Sequence, residues 1–409
     1  MSTLPPFLSR HSLTTKGSNR EDIRRHNLSA VLTLLKRSGS TPRSALTEIT
    51  GLNRSTISDL VTELQELGLV TEAEAVTSQG VGRPSLVVSP TEEVVAFAVN
   101  PDVDAITVAV LTLSGKIIAK VRQATPVQPA ATTAVETVHQ IIEQLRANLP
   151  GHFRIAGIGV AIPGQVRTAD GVIRLAPRLN WVEVPFARML EQLSGLPVYI
   201  DNDASLGALA ERDFGAGMGY REIVYLFGSA GGIGGGVIHD GMLLRGAAGY
   251  AGELGHVRIS DDPHEDASGL TGTLESLVRR DLLLKALGLG NVDDEELGEV
   301  LRADKSAKVR KIAEAQLDAL SIAVGNYVNI FNPEVILLAG YLSTLFSYEP
   351  DRLMSRFRWS SLTTSQARMS VKPAILGANV LMIGAAGLAF SQLISAPANT
   401  ELTRVKVKK

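Results

Sequence analysis

Three short segments between residues 201 and 275 carry acids, an amide and an imidazole that could bind hydroxyl groups. The first, Asp201-Asn202-Asp203, follows a predicted strand at 197–200, the position where α/β proteins hold ligands. A carboxylate there could accept a hydroxyl proton, and the amide could hold a neighbouring hydroxyl. Taken alone, an Asn-Asp pair also fits an ordinary turn.

The other two segments add a pair of carboxylates and a histidine. They are Gly252-Glu253-Leu254-Gly255-His256 and the later Glu275. Two carboxylates and an imidazole flanked by glycines suit a hydroxyl-rich ligand such as a sugar. A single histidine fits a structural role equally well.

Between these segments lies a glycine-rich stretch that follows a predicted strand at 223–227. Six of the nine residues at 228–236 are glycine, which would let backbone N–H groups approach phosphate oxygens closely. A hairpin turn would have the same composition. No GxxxxGK[ST] motif is present, so the sequence does not support a Walker-type NTPase.

A fourth group of polar residues lies on a predicted pair of short helices between residues 41 and 67. We expect Thr41 to cap the first helix with Pro42 in its first turn, and Asn53 to cap the second after a turn at Gly51-Leu52. The predicted apolar positions are Ala45, Leu46 and Ile49 in the first helix, and Ile57, Leu60, Val61, Leu64 and Leu67 in the second.

The exposed face of the second helix has the chemistry of a DNA recognition helix. It carries Arg54, Ser55, Thr56 and Ser58, which could contact base edges and phosphates. A helix predicted at 21–37 precedes the pair, and strands predicted at 69–71 and 86–88 follow it around a glycine turn at 80–84. The apolar side of the first helix is predicted to be Ile23, Leu28, Val31, Leu32 and Leu35.

This order of elements predicts a winged helix with Arg83 at the wing. An ordinary helical hairpin is the alternative for the helices taken singly. Residues 1–60 hold nine Lys/Arg and four Asp/Glu, whereas the remaining residues hold 31 and 38. A basic head on an acidic body fits DNA contact by the head alone, although chance would also give such an asymmetry.

The composition describes a globular protein of more than one domain. At 409 residues, 45% hydrophobic and 20% charged, the chain is too long for one ordinary core. It has no apolar run of membrane-spanning length and no apolar segment typical of a secretory signal near its first residues, so we expect a cytoplasmic protein. The chain contains no cysteine, which excludes disulfides and thiolate metal ligands.

From about Val94 onward, strand hairpins alternate with long helices. Strands are predicted at 94–99, 105–113, 116–122, 155–162, 197–200, 223–227 and 335–338, and helices at 131–149 and 307–331. This mixture predicts an α/β body in which helices cover the sheets.

Together these segments resemble the ROK family (repressor, open reading frame, kinase), which groups sugar-responsive repressors with sugar kinases. The motifs that carry the resemblance are Asn202-Asp203-Ala204, the glycines at 232–236, the Gly-Glu-Leu-Gly-His at 252–256 and Asn332-Pro333-Glu334-Val335. The resemblance extends from the winged helix to about Leu393. It implies an α/β protein with an N-terminal winged helix-turn-helix joined to a two-lobed, actin/hexokinase-like body of the ribonuclease H-like type.

The resemblance also implies roles for single residues. Asp203 matches the catalytic base of the family's kinases. Asn202, Glu253, His256 and Glu275 match residues that hold sugar hydroxyls. Asn180 lies on what resembles the sugar-side loop.

Three departures from the family pattern affect the part of the site that would hold ATP. Asn100-Pro101-Asp102-Val103-Asp104 replaces the Asp-x-Gly-x-Thr phosphate turn, so that a donor is lost and two carboxylates would repel phosphates. Gly231 stands in place of a threonine, and Tyr341 in Ala339-Gly340-Tyr341 would crowd an adenosine. We therefore expect no phosphoryl transfer and interpret Asp203 as a vestigial base.

The zinc site found in many family members is altered as well. Such members use the histidine of the Gly-His pair with three cysteines, and here Asp266, Ser268 and Thr273 stand at the cysteine positions. One histidine with an acid and two hydroxyls is a poor zinc site, so we expect no metal and no cofactor. We expect hydrogen bonds to hold this turn, which leaves His256 to contact the ligand or orient a neighbour.

The sequence thus predicts a sugar-responsive DNA-binding regulator, a repressor of carbohydrate-metabolism genes. A sugar or sugar derivative would change the spacing of two heads in a homodimer or homotetramer on a palindromic operator. Arg54, Ser55, Thr56 and Ser58 would contact this DNA, with Arg83 in the minor groove or on phosphate. The expected domains are a DNA-binding head at 1–90 with a flexible arm at 1–20, an effector-binding and oligomerisation body at 91–395, and a basic tail at 396–409.

Two alternatives to this prediction are open. One is an active ATP-dependent sugar kinase that also binds DNA, since Asp203 and the glycine-rich stretch are intact. The other is a regulator whose body only dimerises and no longer senses a sugar.

Overall fold

The computed structural model describes residues 19–74, 86–125, 127–290, 292–367 and 369–405. Over these ranges the chain forms a small N-terminal head followed by an α/β body of two lobes. The predicted wing turn at 80–84 with Arg83, and nearly all of the predicted arm at 1–20, lie outside the described residues. None of the described helices is both long enough and apolar enough to cross a membrane.

The head consists of three helices and a three-stranded antiparallel sheet. Its elements are α1 (Arg20–Ser38), β1 (Thr41–Pro42), α2 (Arg43–Thr50), α3 (Arg54–Glu66), β2 (Val70–Glu74) and β3 (Leu86–Pro90), with strand order β1-β3-β2. Between α2 and α3, Gly51 adopts a left-handed conformation, which only glycine adopts readily. Asn53 then caps α3, because its Oδ1 accepts a hydrogen bond of 2.9 Å from the N–H of Thr56. The predicted helix-turn-helix order and the cap by Asn53 are confirmed.

Three details of the head were predicted wrongly. Thr41 does not cap α2, because Thr41 and Pro42 pair with β3 and the helix begins at Arg43. Ile49 and Ile23 do not belong to buried faces, since they are 60% and 52% exposed. Ile23 lies in the first turn of α1, before that helix reaches the core at Leu28, and the short helix α2 buries only Leu46.

The body alternates between strands and helices along its whole length. Its strands are β4 (Val94–Pro101), β5 (Ala105–Thr112), β6 (Ile117–Ala124), β7 (Arg154–Ile162), β8 (Gln165–Arg167), β9 (Val172–Ala176), β10 (Trp181–Val184), β11 (Val198–Asn202), β12 (Ile223–Ser229), β13 (Gly232–His239), β14 (Met242–Leu243), β15 (Val335–Gly340), β16 (Ser370–Pro373) and β17 (Thr403–Arg404). Its helices are α4 (Ala131–Ala147), α5 (Phe186–Ser194), α6 (Asp203–Phe214), α7 (Leu274–Leu277), α8 (Arg280–Leu287), α9 (Asp294–Ala303), α10 (Ala307–Phe331), α11 (Tyr341–Tyr348), α12 (Pro350–Ser360), α13 (Thr363–Gln366), α14 (Val380–Ala389) and α15 (Ser391–Ser395).

The two lobes repeat one sheet topology. The first lobe has the order β6-β5-β4-β7-β11, in which β4, β5 and β6 are antiparallel neighbours and β7 and β11 continue in parallel. The second lobe has the order β14-β13-β12-β15-β16 with the same strand directions. This duplicated arrangement is the two-lobed α/β body that the resemblance implied.

Two helices join the lobes. α6 packs on β12 and β13 of the second lobe, α14 packs on β4 and β7 of the first, and the two helices pack against each other. A small sheet, β8-β9-β10, extends the first lobe after β7. Near the C-terminus, β17 pairs with β7, so the described part of the predicted tail lies on the body; residues 406–409 lie outside the described ranges.

Candidate functional site

A cleft that encloses about 520 Å³, part of it open to solvent, lies between the lobes. Five of the six predicted effector residues line it: Asn202, Asp203, Glu253, His256 and Glu275. The structure does not bring Asn180 into this lining. Asn180 is exposed in a left-handed conformation just after a 3-10 turn, and Pro177 and Arg178 of that turn line the cleft instead.

Asn202 and Asp203 stand where β11 passes into α6. The Oδ1 atom of Asn202 caps the helix by accepting the N–H of Ser205 at 2.9 Å, and its Nδ2 donates to the carbonyl of Gly164 at 3.1 Å. Asp203 accepts the N–H of Ala204 at 2.7 Å. The amide of Asn202 therefore ties the first turn of α6 to the chain that follows β7, in addition to facing the cleft.

The Asp203 carboxyl is buried beside other acids. Burial and the charges of Asp102 and Glu253 raise its pKa to about 7, against the opposing effect of the Ala204 N–H. An acid with this pKa exchanges its proton near neutral pH.

The glycine-rich stretch is a hairpin, one of the two structures that its composition allowed. Strands β12 and β13 pair from Ile223↔Ile238 to Ser229↔Gly232, which leaves a turn of two residues. Glu275 accepts the N–H of Ile233 at 2.8 Å, and a Cβ on Gly232, at φ +122°, would overlap the Glu275 carboxylate. Glycine at 232 is therefore required for the close approach of Glu275 to the hairpin.

Asp266 is the centre of the turn that carries His256. Its fully buried carboxylate accepts hydrogen bonds from His256 Nδ1 at 2.8 Å, Thr273 Oγ1 at 2.9 Å, and the N–H groups of Ser268 and Leu270 at 2.8 and 3.0 Å. The residues expected at the three cysteine positions are thus joined by hydrogen bonds. Among the residues that the structure describes, no group of three or more metal-ligating side chains lies close enough together to hold a metal ion.

This turn fixes the orientation of His256. A carboxylate only accepts, so Nδ1 carries a proton, and Nε2 lies 4.0 Å from Glu253 Oε2 at the cleft. Burial acts to lower the pKa of His256, but its hydrogen bond with Asp266 and the charges of Glu275, Asp266 and Glu253 raise it overall. Burial raises the pKa of Glu253.

The turn at 100–104, in which the sequence departs from the family's phosphate turn, carries a partly buried acid, Asp102, whose charge acts on Asp203. Pro101 pairs with Ile106 in the sheet, and Asp102 accepts the N–H of Val103 at 2.7 Å. Burial raises the pKa of Asp102. The prediction that Tyr341 would crowd an adenosine is wrong. Its ring lies in the core of the second lobe, and its hydroxyl donates to Gln316.

The predicted DNA-contacting residues share one end of α3. Arg54 and Ser55 are exposed, and Thr56 and Ser58 are partly exposed. Sequence reasoning missed Arg43, whose Nη1 donates to Ser58 at 2.9 Å while its Nε and Nη2 hold Glu72 of β2 at 2.5 and 2.7 Å. Arg43 thus links α2, α3 and the sheet.

The structure also adds residues to the cleft itself. Pro163, Gly164 and Phe227 line it, although only the strand ends that carry them were visible in the sequence. Outside the lining of the cleft, Arg245 of the second lobe forms a buried ion pair of 2.7 Å with Asp201 of the first. Arg245 and Asp201 are far apart in the chain, so the sequence near either residue does not indicate this pair.

Comparison with known proteins agrees with this architecture. Residues 96–392 match the ROK family. A xylose repressor of Caldicellulosiruptor bescii is 28% identical over 372 residues, which cover 87% of this chain and 93% of that protein. A glucokinase of Thermotoga maritima is 29% identical over 255 residues, 58% of this chain and 78% of the kinase.

A solved structure shows the same fold over nearly the whole length. It is a ROK family transcriptional regulator described as a homolog of the E. coli MLC protein, with a TM-score of 0.74 and 22% identity over 91% of this chain and 98% of that one. The family match covers well over half of the chain, including both lobes and the cleft between them. The chain therefore belongs to the ROK family.

Proposed function

We propose that the protein is a DNA-binding transcriptional repressor whose body binds a sugar in the cleft between its lobes. The similarity to a xylose repressor extends over 87% of the chain, so it must include part of the head as well as the body. The head places Arg54 and Ser55 at the exposed start of a capped helix, as a recognition helix requires.

The observation that carries the proposal is the contrast between the two sides of the cleft. The acids and the imidazole that suit sugar hydroxyls are ordered, with His256 fixed by Asp266 and Glu275 fixed by the Ile233 N–H. The turn that would face a nucleotide's phosphates instead carries the acid Asp102, and Pro101 beside it has no backbone N–H to donate. Such a cleft favours binding over phosphoryl transfer.

Calorimetry with a panel of sugars tests the sugar site. We expect xylose, glucose or an amino sugar to bind the full-length protein. Glu253→Ala should weaken that binding, because it removes a carboxylate that accepts hydrogen bonds from the sugar. The expected loss is at least about tenfold, which corresponds to about 1.4 kcal/mol. Glu265→Ala is the matched control, since Glu265 is exposed on the loop that follows His256. Equal binding by both variants would contradict the proposed site, and no binding across the panel would favour a body that only dimerises.

On DNA, we propose that two heads of a homodimer or homotetramer read the two halves of a palindromic operator. Symmetric dimers bind half-sites whose centres lie about one helical turn, or a multiple of it, apart. Selection of bound fragments from genomic DNA would give the operator and its half-site spacing. Recovery of only single, unpaired half-sites would contradict this arrangement.

A second candidate function, an ATP-dependent sugar kinase that also binds DNA, is favoured by one observation. Asp203 is buried with a pKa of about 7, which suits a general base. A coupled assay for ADP with the same sugar panel separates the two functions. We expect no turnover, whereas sugar-dependent turnover that Asp203→Asn abolishes would establish the kinase.

A further inference from the structure

Among the residues that the structure describes, two side chains of the body bond to the head, and both lie at ends of elements that lead to the cleft. One is Arg154, the first residue of β7. The other is Asp213, in the last turn of α6. The opposite ends of these elements, at Gly164 just after β7 and at Asp203, line the cleft.

Arg154 binds the C-terminal end of the recognition helix. That end is closed by hydrogen bonds from the N–H of Gly68 to Gln65 and from the N–H of Leu69 to Leu64, at 2.8 Å each. The carbonyls of Leu67 and Gly68 then point to the body, where Arg154 Nη1 donates to Leu67 at 2.8 Å and Nη2 donates to Gly68. A guanidinium at this position also complements the negative end of the helix dipole.

Asp213 holds the last turn of α1. Its carboxylate lies 2.8 Å from Lys36 Nζ and 2.8 Å from Arg37 Nη2, and Arg212 donates to it at 2.8 Å. The side chains of Lys36 and Asp213 are only 10% and 5% exposed. Ion pairs so far from solvent hold their geometry, because separating them would leave a buried charge without a partner.

The cleft ends of the two elements are joined to each other. Asn202, the cap of α6, donates to the carbonyl of Gly164 and pairs with Ile162 in the sheet, so a displacement at the start of α6 acts on the end of β7. The twelve residues of α6 span about 18 Å and the nine residues of β7 about 30 Å. α6 is a continuous helix, and β7, which has a bulge near Gly157, is paired with β4 and β11 on its two sides. Largely buried, closely packed elements of this kind transmit a displacement along their length.

We propose that Arg154 and Asp213 are positioning residues that set the orientation of the recognition helix and pass to it the arrangement of the lobes around the cleft. A sugar that moves Asn202 and Asp203 when it binds in the cleft shifts both elements. The head then moves with them, because α1 and α3 are held at separate points. This inference rests on the proposed sugar-sensing function.

Distance measurements between the head and the body test the proposal directly. The chain has no cysteine, so Glu48→Cys on α2 and Gln140→Cys on α4, both exposed, give one pair of spin labels in each full-length chain. Diluting the labelled protein with an excess of unlabelled protein leaves this pair as the one measured in each oligomer. We expect a narrow distance distribution in the otherwise native protein. Arg154→Gln and Asp213→Asn should each broaden or shift it.

Arg404→Gln is the matched control, because Arg404 is exposed and pairs with Arg154 across β17 and β7. Asp213→Asn leaves the buried Lys36 without its partner and could fail to fold. In that case the distances measured in Arg154→Gln, a change at a partly exposed residue, still test the proposal. A distribution that stays as narrow in Arg154→Gln as in Arg404→Gln would overturn the proposal.

A second arm adds the sugar identified by calorimetry and a DNA fragment selected with the native protein. Two coupled sites typically change each other's affinity by roughly 5- to 150-fold. We expect Arg154→Gln to reduce the factor by which the sugar changes DNA affinity by at least about threefold, while the affinity for the sugar itself stays unchanged. An equal factor in native protein and variant would overturn the inference and leave the proposed function standing. If no sugar binds, the proposed function fails, and the sugar-free distances still decide whether Arg154 and Asp213 orient the head.

Discussion

Asp266 is the residue on which the sugar side of the cleft most depends. It accepts from a side chain on each side of the turn, His256 and Thr273, and from two backbone N–H groups. These bonds act to hold the pKa of Asp266 low against the effect of burial, so the carboxylate is charged and its bonds are strong. A negatively charged centre of this kind can order a turn without a metal ion.

Removing that charge should loosen His256. We expect Asp266→Asn to weaken sugar binding by about tenfold, because a hydrogen bond to a charged group contributes roughly 1.5–3 kcal/mol. Calorimetry measures the loss. Asp262→Asn is the control, since Asp262 bonds His264 on the same loop and does not contact His256; equal losses in both variants would show that the loop, and not Asp266, is responsible.

Asp203 makes the stability of the protein depend on pH. Its pKa rises from 3.8 to about 7 on folding, so the folded state binds the proton more tightly, and stability falls as pH rises through this window. Asp203→Asn keeps an oxygen for the Ala204 N–H and has no charge to bury. We expect the gap in melting temperature between this variant and the native protein to depend on pH. The variant's melting temperature minus that of the native protein should be a few degrees larger at pH 8 than at pH 5, as thermal unfolding would show. A gap that shrinks as pH rises would contradict the assigned pKa.

Single residues show how far the sequence could predict the site. Five of the six predicted effector residues line the cleft. Four of them could be predicted because they lie in two short motifs, and Glu275 was predicted from its charge and from the family resemblance. Asn180 was predicted only from the resemblance of its loop to the family's sugar-side loop, and it lies outside the lining. Arg154, Arg43 and Arg245 act across long separations in the chain, and nothing near them in the sequence shows their partners.

Among the elements, α3 is the one that should read DNA. Arg54 lies in its first turn, exposed and beside the Asn53 cap. We expect Arg54→Ala to weaken binding to the selected operator by about 1–3 kcal/mol and to relax the base preference at one position.

Binding assays with operator variants at each position would measure that effect. Arg20→Ala removes the same charge from an exposed position at the start of α1 and serves as the control. If Arg54→Ala lowers affinity equally for all sequences, Arg54 contacts phosphate and not a base.

The β12–β13 hairpin is the element that supports Glu275. We expect Gly232→Ala to displace the Glu275 carboxylate and weaken sugar binding by at least about tenfold, since the new Cβ would overlap it in a backbone conformation that favours glycine. Gly290→Ala is the control, because Gly290 has open space around it. Native affinity in Gly232→Ala would remove Glu275 from the sugar site.

Elements with strong periodicity were predicted well, and pairings over distance were not. The helix predicted at 307–331 is α10 with the same bounds, since its apolar pattern is long and ends at Asn332-Pro333. Strand β1 was missed because two residues carry no alternating pattern, and their strand character comes only from pairing with β3. The family resemblance implied two lobes, but their strand order could not be derived from the residues, because strand order depends on contacts between distant segments.

For the whole molecule, the lobes and the head form one connected structure. α6 and α14 join the lobes, and the apolar core of α1 and α3 continues into β4, β5 and α14. A ligand that favours one arrangement of the lobes should therefore favour one position of the head. The ratio of its affinities for the two arrangements sets how far the populations shift. This connection is what a repressor controlled by a sugar needs.

The central claim is that a sugar in the cleft changes the affinity of the head for DNA. Fluorescence anisotropy of the selected operator, titrated with full-length protein with and without the sugar that calorimetry identifies, measures this coupling directly. We predict a change in Kd of at least about fivefold, absent in Glu253→Ala and present in Glu265→Ala. An operator affinity that stays the same at saturating sugar, in a protein that calorimetry shows to be fully bound, would contradict the account.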